Sequence, residues 1–201
     1  MMSHDEAPSP EINSVWIIRK PMPEEQALLA SLLLKSVRDT WRKNGLELEH
    51  SDFQDEMHSR LECLSRFFSG ESDIVDIRII EEDPPGKIRG LAALYPPGKT
   101  MIRNLQSRLD ASHAELGLFY IDPEHHRRGL GRELFGSMNR LAVRRSQSLL
   151  VLGSGYPSSQ RYWNRILGEA DAIERDRWGP GQHEMMWIWD PRGFDPAGRF
   201  R

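Results

Sequence analysis

Apolar residues recur along this chain with two different periods, and the switches between them lay out the elements. Val15-Trp-Ile-Ile18 is a short apolar run suited to a first strand, closed by Pro21 and Pro23. From about Glu24 to Arg42, the residues Leu28, Leu29, Leu32, Leu33, Val37 and Trp41 fall at helical spacing and predict a helix with one broad buried face. A second stripe, Phe53, Met57, Leu61, Leu64 and Phe68, follows Ser51-Asp-Phe-Gln54, whose spacing is that of a capping box. Ile74 to Ile80 and Ile88 to Tyr95 read as strands joined into a hairpin through Asp83-Pro-Pro-Gly86. Pro96 to Ser112 reads as a loop with one short helix around Ile102 to Leu109. Glu115 to Ile121 predicts a central strand, Gly129 to Arg145 a helix, and Ser148 to Leu152 a buried strand of nearly unbroken aliphatics. After Gly153-Ser-Gly155 come a helix from Ser158 to Leu167 and a closing hairpin, which pairs Ala170 to Asp176 with His183 to Trp189 across Trp178-Gly-Pro-Gly181.

Strands alternating with helices in 201 residues describe one α/β domain with a single core. The expected limits are a flexible segment over 1–13, the domain over 14–190 and a tail over 191–201. No apolar run is long enough to span a bilayer, and Met1 to Asn13 is polar and acidic, so neither a signal peptide nor a membrane partner is expected and the setting reads as cytoplasmic. The single cysteine, Cys63, excludes an internal disulfide and falls among apolar helix positions, which reads as core. The seven histidines lack zinc-ligand spacing, so no metal is expected. A net charge of -3 argues against nucleic acid as a partner. The basic residues are local: Arg127, Arg128, Arg132, Arg140, Arg144 and Arg145 lie between one glycine turn and the end of the next helix, the last three reading as a solvated helix face.

That turn lies within Glu115-Leu-Gly-Leu-Phe-Tyr-Ile-Asp-Pro-Glu-His-His-Arg-Arg-Gly-Leu-Gly-Arg-Glu-Leu134, a buried strand, a basic glycine turn and a helix start in succession. Gly129 and Gly131 let the backbone approach a ligand closely, and the first N–H groups of the helix point together with the positive end of its dipole. Arg127, Arg128 and Arg132 add full charges able to grip phosphate oxygens, so the segment describes a cradle for a diphosphate. A Walker loop would need Gly-Lys-Ser or Gly-Lys-Thr, and a dinucleotide fingerprint would need a glycine where Leu134 stands.

The strand ending in Leu-Phe-Tyr-Ile-Asp-Pro, then His126-Arg-Arg-Gly-Leu-Gly131, then an amphipathic helix resembles the acetyl-CoA-binding motif of the GNAT superfamily of N-acetyltransferases. The resemblance runs from about Val75 to Leu167; His126 stands where the family carries Gln or Arg, a position that contributes chiefly its backbone. It implies a mixed α+β fold with six to seven strands and about four helices, and acetyl-CoA as co-substrate held by His126, Arg127, Arg128, Gly129, Leu130, Gly131 and Arg132. It further implies that the pantetheine arm lies along the central strand, against the backbone of Phe119, Tyr120 and Ile121. The resemblance is compatible with a homodimer.

Acetyl transfer to an amine leaves the protein three tasks: removing the amine proton, stabilising the carbonyl oxygen and protonating the departing thiolate. Glu115 is the candidate base, a carboxylate among apolar neighbours whose burial would raise its proton affinity, with a structural strand-end carboxylate as the competing reading and His113 in reserve. For the acid, the family places a tyrosine early in the helix after the last central strand. Counting back from Gly168 lands on Asn164, so Tyr162 serves only in a shifted register, with Tyr156 or solvent as substitutes. Glu47, Glu49, Asp52, Asp55 and Glu56 would form an acidic wall suited to a cationic amine, or simply decorate a helix N-terminus. Trp178, Trp187 and Trp189 would line an acceptor pocket, a dimer face or the core. The sequence thus points to an acetyl-CoA-dependent N-acetyltransferase acting on a small-molecule or peptide amine. A non-catalytic acyl-CoA sensor, or transfer of another acyl chain or to another acceptor, is the alternative.

Overall fold

The computed structural model describes residues 16–71, 75–83, 86–105, 109 and 113–194. The expected flexible segment 1–13, the turn prolines Pro84 and Pro85, and residues beyond 194 lie outside them. In chain order the elements are β1 (Trp16–Arg19), α1 (Gln26–Lys43), α2 (Ser51–Phe68), β2 (Asp76–Glu82), β3 (Ile88–Tyr95), α3 (Lys99–Leu105), β4 (His113–Ile121), α4 (Leu130–Arg144), β5 (Leu149–Ser154), α5 (Pro157–Leu167), β6 (Ala172–Glu174) and β7 (Glu184–Trp189). The seven strands form one sheet in the order β1-β2-β3-β4-β5-β7-β6. Every neighbouring pair is antiparallel except β4 and β5, which the α4 crossover joins in parallel. The expected mixed sheet and hairpins are therefore present, together with five α-helices among the described residues.

One expectation fails at the start of α2. Ser51 is already helical, and the cap is His50, whose backbone is still extended and whose Nδ1 accepts the Asp52 N–H at 3.3 Å. A ring nitrogen one residue earlier takes the role expected of the Ser51 hydroxyl.

The alternation along the strands divides the core in two. On one side, Leu130, Leu134, Phe135, Met138 and Leu141 of α4 pack on Leu94, Leu116, Leu150 and Leu152, with Trp163 of α5 and Trp187 and Trp189 of β7 filling the end. On the other, Leu29, Leu33 and Leu64 of α1 and α2 cover Ile77, Ile79, Leu91 and Leu118, and Met101 and Leu105 of α3 cover Val151, Met186 and Ile188. Past β7 the chain stays docked: Pro191 is buried, and the Phe194 ring meets Phe135 edge-on at 4.9 Å. Among the described residues no helix is long and apolar enough to cross a membrane.

Phe135 touches the rings of Phe119, Trp163, Trp189 and Phe194 and is fully buried. Phe135→Ala is expected to cost about 3 to 5 kcal/mol of stability, read from the shift of the urea midpoint.

Candidate active site

The site begins at a defect in the sheet. On its β3 side β4 stays paired, but Ala93 faces Gly117 while Leu91 faces Tyr120, so β4 carries one extra residue. That residue is accommodated at Leu118, held at φ +46°, a conformation uncommon outside glycine, within the α1–α2 core. On its other side β4 pairs with β5 only over His113 to Glu115. Beyond Glu115 the two strands part, so the β5-facing backbone edge of β4 from Leu116 to Ile121 borders an opening rather than a strand. The bulge also changes which side chains share a face. Glu115 and Tyr120 look toward α1 and α2, whereas Phe119 and Ile121 join the α4–α5 core.

At the end of β4 the chain is pinned before it turns. Asp122 is buried, accepts the Glu124 N–H at 3.3 Å and pairs with Lys35 of α1 at 2.6 Å. Burial works against its ionisation, yet the Lys35 hydrogen bond and its other partners hold its carboxyl below the usual range. The His126 ring bonds the Ile121 carbonyl at 3.0 Å, closing the turn on the strand end. Arg127 at φ +64° and Gly129 at φ +86° reverse the chain into α4, whose Leu130 is in the core. His126, Arg127, Arg128, Gly129 and Arg132 are exposed, and among the described residues the three arginines have no ion-pair partner. A Cβ added at Gly129 would meet nothing within 4 Å; the left-handed backbone needs the glycine, and the space in front of it is open to a ligand. A helix N-terminus, open backbone and three free guanidiniums fit a diphosphate.

On the α1–α2 side, Glu115 Oε2 accepts the Gly98 N–H at 2.8 Å, and Tyr95 hydrogen-bonds the same carboxylate. The Tyr95 hydroxyl stands where a Gly117 Cβ would be, so only glycine at 117 lets it in. Burial raises the Glu115 pKa, against the pull of these bonds and of Arg60. Behind it, Glu56 of α2 collects the Trp41 indole N–H at 2.8 Å, the Tyr156 hydroxyl, the Tyr120 hydroxyl at 3.4 Å and Arg60 at 3.2 Å. Burial pushes the Tyr120 phenol up to about 12 and that of Tyr156 higher still, so both remain donors. Asn44, at the end of α1, accepts the Ser158 N–H at 3.3 Å and fixes the start of α5 against this network.

The profile of the Acetyltransferase (GNAT) family matches residues 32–168. The chain belongs to the GNAT acetyltransferase family. No curated protein matches it by sequence. Among solved structures, a putative GNAT acetyltransferase from Desulfovibrio desulfuricans superposes with a TM-score of 0.65 at 14% identity, over 88% of this chain and 99% of that one. The YncA putative acetyltransferase from Salmonella typhimurium, solved with its cofactor acetyl-CoA, gives 0.60 at 18% identity over 89% and 95%. Ribosomal-protein-alanine N-acetyltransferase from Brucella melitensis gives 0.58 at 18% over 87% and 99%. At these identities the likeness is one of fold. The GNAT match starts at residue 32, within α1, well before the motif-bearing segment that begins near Val75.

Within the GNAT frame the candidate residues divide between the two sides of the opening. Tyr162 lies on the α4–α5 side: its hydroxyl is 3.4 Å from where a Gly131 Cβ would be, beside Phe119 and Ile121, and burial raises its pKa. Tyr156 lies on the other side with Glu56, and His113 is buried at the base of the opening, where β4 still pairs with β5. Of the proposed acidic wall only Glu56 turns inward; Glu47, Glu49, Asp52 and Asp55 are exposed. Trp187 and Trp189 are core residues whose N–H groups reach the Gly168 carbonyl and Asn139, while Trp178 is half exposed. Arg145 pairs with buried Asp76 at 3.0 Å, and Arg140 and Arg144 are solvated. Burial pushes the Cys63 thiol up to about 11, as suits a packed side chain and not a nucleophile.

Tyr95, Gly98, Arg60 and Glu184 were not legible as site residues. Tyr95 closes β3 and Gly98 lies in the loop before α3, and neither position belongs to a motif that marks it as part of a site. Glu184 carried one faint signal, a lone carboxylate opening an apolar strand. It is buried, accepts the Trp178 indole N–H at 2.7 Å, and burial raises its pKa to about 6. A raised carboxyl favours the folded state most below about pH 4.5 and loses that contribution as pH climbs through about 6. Glu184→Gln is therefore expected to be more stable than the parent by about 2 kcal/mol at pH 7.5 and equal to it near pH 4, measured by urea denaturation at both.

Proposed function

We propose that the protein transfers an acetyl group from acetyl-CoA to the primary amine of a small molecule or peptide, with both substrates bound together. The observation that carries this reading is the single broken strand with an enclosed carboxylate just before the break and an anion cradle just after its end. The Gly129 turn, the N–H groups opening α4, and Arg127, Arg128 and Arg132 would hold the diphosphate. The free backbone edge at Phe119, Tyr120 and Ile121 would receive the pantetheine amides like an added strand. Membership of an acetyltransferase family supports this assignment, as does the structural neighbour named with acetyl-CoA.

When bound, acetyl-CoA supplies a thioester carbonyl open to attack by a neutral amine. Glu115 takes the amine proton: its raised pKa keeps it basic enough to be useful at neutral pH, and Gly98 and Tyr95 hold the carboxylate in place. Tyr162, on the opposite side of the opening and protonated across the working range, is the proton donor to the departing thiolate. Tyr156 is unsuited to that task because its hydroxyl already serves Glu56 and Trp41. A sensor that only binds acyl-CoA would need the cradle but not a carboxylate enclosed beside the opening, so Glu115 favours catalysis.

Calorimetric titration with acetyl-CoA, followed by thiol release over a panel of amines, tests the reading. Glu115→Gln is expected to lower kcat/KM about 100-fold or more with little change in acetyl-CoA affinity. The parent rate should rise with pH through an inflection above the ordinary glutamate range, and that inflection should vanish in the variant; an unchanged profile would return Glu115 to a structural role. Gly129→Asp keeps a residue that tolerates left-handed backbone but sets a carboxylate against the diphosphate, so acetyl-CoA affinity should fall by about 100-fold or more. Intact affinity in that variant would remove the cofactor assignment.

A further inference from the structure

The pocket on the α1–α2 side of the opening holds more negative charge than transfer to an amine requires. Three carboxylates from three elements, Glu56 on α2, Glu115 on β4 and Glu184 on β7, share it with the Arg60 guanidinium, while Arg177, already paired with Glu174, also acts on Glu184. Glu56 is satisfied by Trp41, Tyr120, Tyr156 and Arg60. Glu115 is bound by Gly98 and Tyr95 and has the proton-transfer task. Glu184 has no such task. It is 7% exposed, one oxygen accepts from Trp178, and its charge is felt by Arg177, Arg60 and Glu115.

Its seat is built into the neighbouring strand. Gly153 and Gly155 flank Ser154 on the same face as Glu184; a Cβ at Gly153 would stand 2.4 Å from Glu184 Oε1, and one at Gly155 would stand 2.5 Å from Trp178 Nε1. Two bare positions at the end of β5 thus let the carboxylate and indole lie across the strand toward the opening. Val151 is the β5 partner of Glu115, and Gly153 is two residues further on. Strand spacing of about 4.8 Å and a rise of about 3.3 Å per residue put the Gly153 backbone about 8 Å from that of Glu115. The Trp178 ring, half exposed at this edge, already carries a cation on its face, the Arg177 guanidinium at 5.0 Å from the centroid, while Arg177 pairs with Glu174 at 3.1 Å.

We propose that Glu184 is a specificity-determining residue that binds a second cationic group of the acceptor, so that this pocket selects a diamine over a monoamine or an amino acid. The inference rests on the acetyl-transfer reading above and adds the acceptor class. One nitrogen of the diamine reaches Glu115 and loses its proton there; the other stays charged and pairs with Glu184 across the end of β5. A carboxylate in the second position would meet like charge.

The test uses three acceptors of equal length, 1,5-diaminopentane, n-pentylamine and 5-aminopentanoate, with thiol release as the readout. The intact protein is expected to favour the diamine over the monoamine by about tenfold or more in kcat/KM, with the amino acid poorest. Glu184→Gln should collapse that ratio through a raised KM for the diamine. Glu184→Asp, which withdraws the carboxylate by one methylene, should restore a diamine preference with its optimum moved to 1,6-diaminohexane, a change that a merely structural role would not produce. Equal use of diamine and monoamine by the parent, or an unchanged ratio in Glu184→Gln, overturns the role of Glu184 and leaves amine acetylation standing. Acetyl-CoA binding without thiol release on any of the amines overturns the transfer reading, and the diamine assignment falls with it.

Discussion

Backbone hydrogen bonding in a sheet is close to obligatory, so a central strand that stops pairing on one side sets the terms for everything around it. Here β4 is held by β3 throughout but by β5 for only three residues, and the extra residue at Leu118 bends it away. The strained conformation persists because Leu118 is clamped in the α1–α2 core, and strain of this kind costs about 1 to 3 kcal/mol where it is retained. Its product is a wedge open between two parallel strands, with unpaired backbone along one edge. The glycine turn and the start of α4 lie at the end of that same strand, so the proposed anion cradle and the free edge form one continuous surface.

The two sides of the wedge differ in chemistry because the helices covering them differ. α4 and α5 bring aromatic rings and aliphatics, leaving the Tyr162 phenol as a polar group beside Gly131. α1 and α2 bring Trp41, Glu56 and Arg60, and the Glu56 network ties α2 to β4 and to the start of α5 in one hydrogen-bonded unit. A half-buried carboxylate that gathers four donors, as Glu56 does, is inexpensive to keep and rigid. The carboxylates of Glu115 and Glu184 have fewer donors, and burial raises the proton affinity of both. In this pocket the carboxylate with the most protein donors is structural, and the two with fewer are those proposed to meet the acceptor.

The cradle shows how one departure from a family pattern is absorbed. His126 replaces Gln or Arg, and its ring returns to the Ile121 carbonyl, so the side chain closes the turn while the backbone stays in place. Asp122 does complementary work from the other side, drawing Lys35 of α1 and Arg89 of β3 onto the strand end. The turn is thereby fixed to both neighbouring layers before any ligand arrives.

Much of the fold was readable in advance because period and punctuation are local. The helical stripe of α1, of which Leu29, Leu32, Leu33, Val37 and Trp41 are buried while Leu28 at its edge is exposed, the aliphatic run at Leu149 to Leu152 and the glycines before α4 all report on their own neighbourhoods, and so do the parts of the proposed anion cradle, which lie within six consecutive residues. What the sequence could not reveal were relations between distant segments. Periodicity places Glu115, Gly117, Phe119 and Ile121 on one face, and only the bulge at Leu118 moves Phe119 and Ile121 to the opposite side. Tyr95, Gly98 and Glu184 reach the site from segments with no chemical signature of their own. By itself the sequence determined the order of elements, most of their buried faces and the glycine turn before α4, since each follows from short-range sterics and hydrophobic spacing. Which carboxylates share a pocket, and which are left short of partners there, was decided only by tertiary structure, because desolvation and pairing depend on what the other helices and strands bring to the same few ångströms.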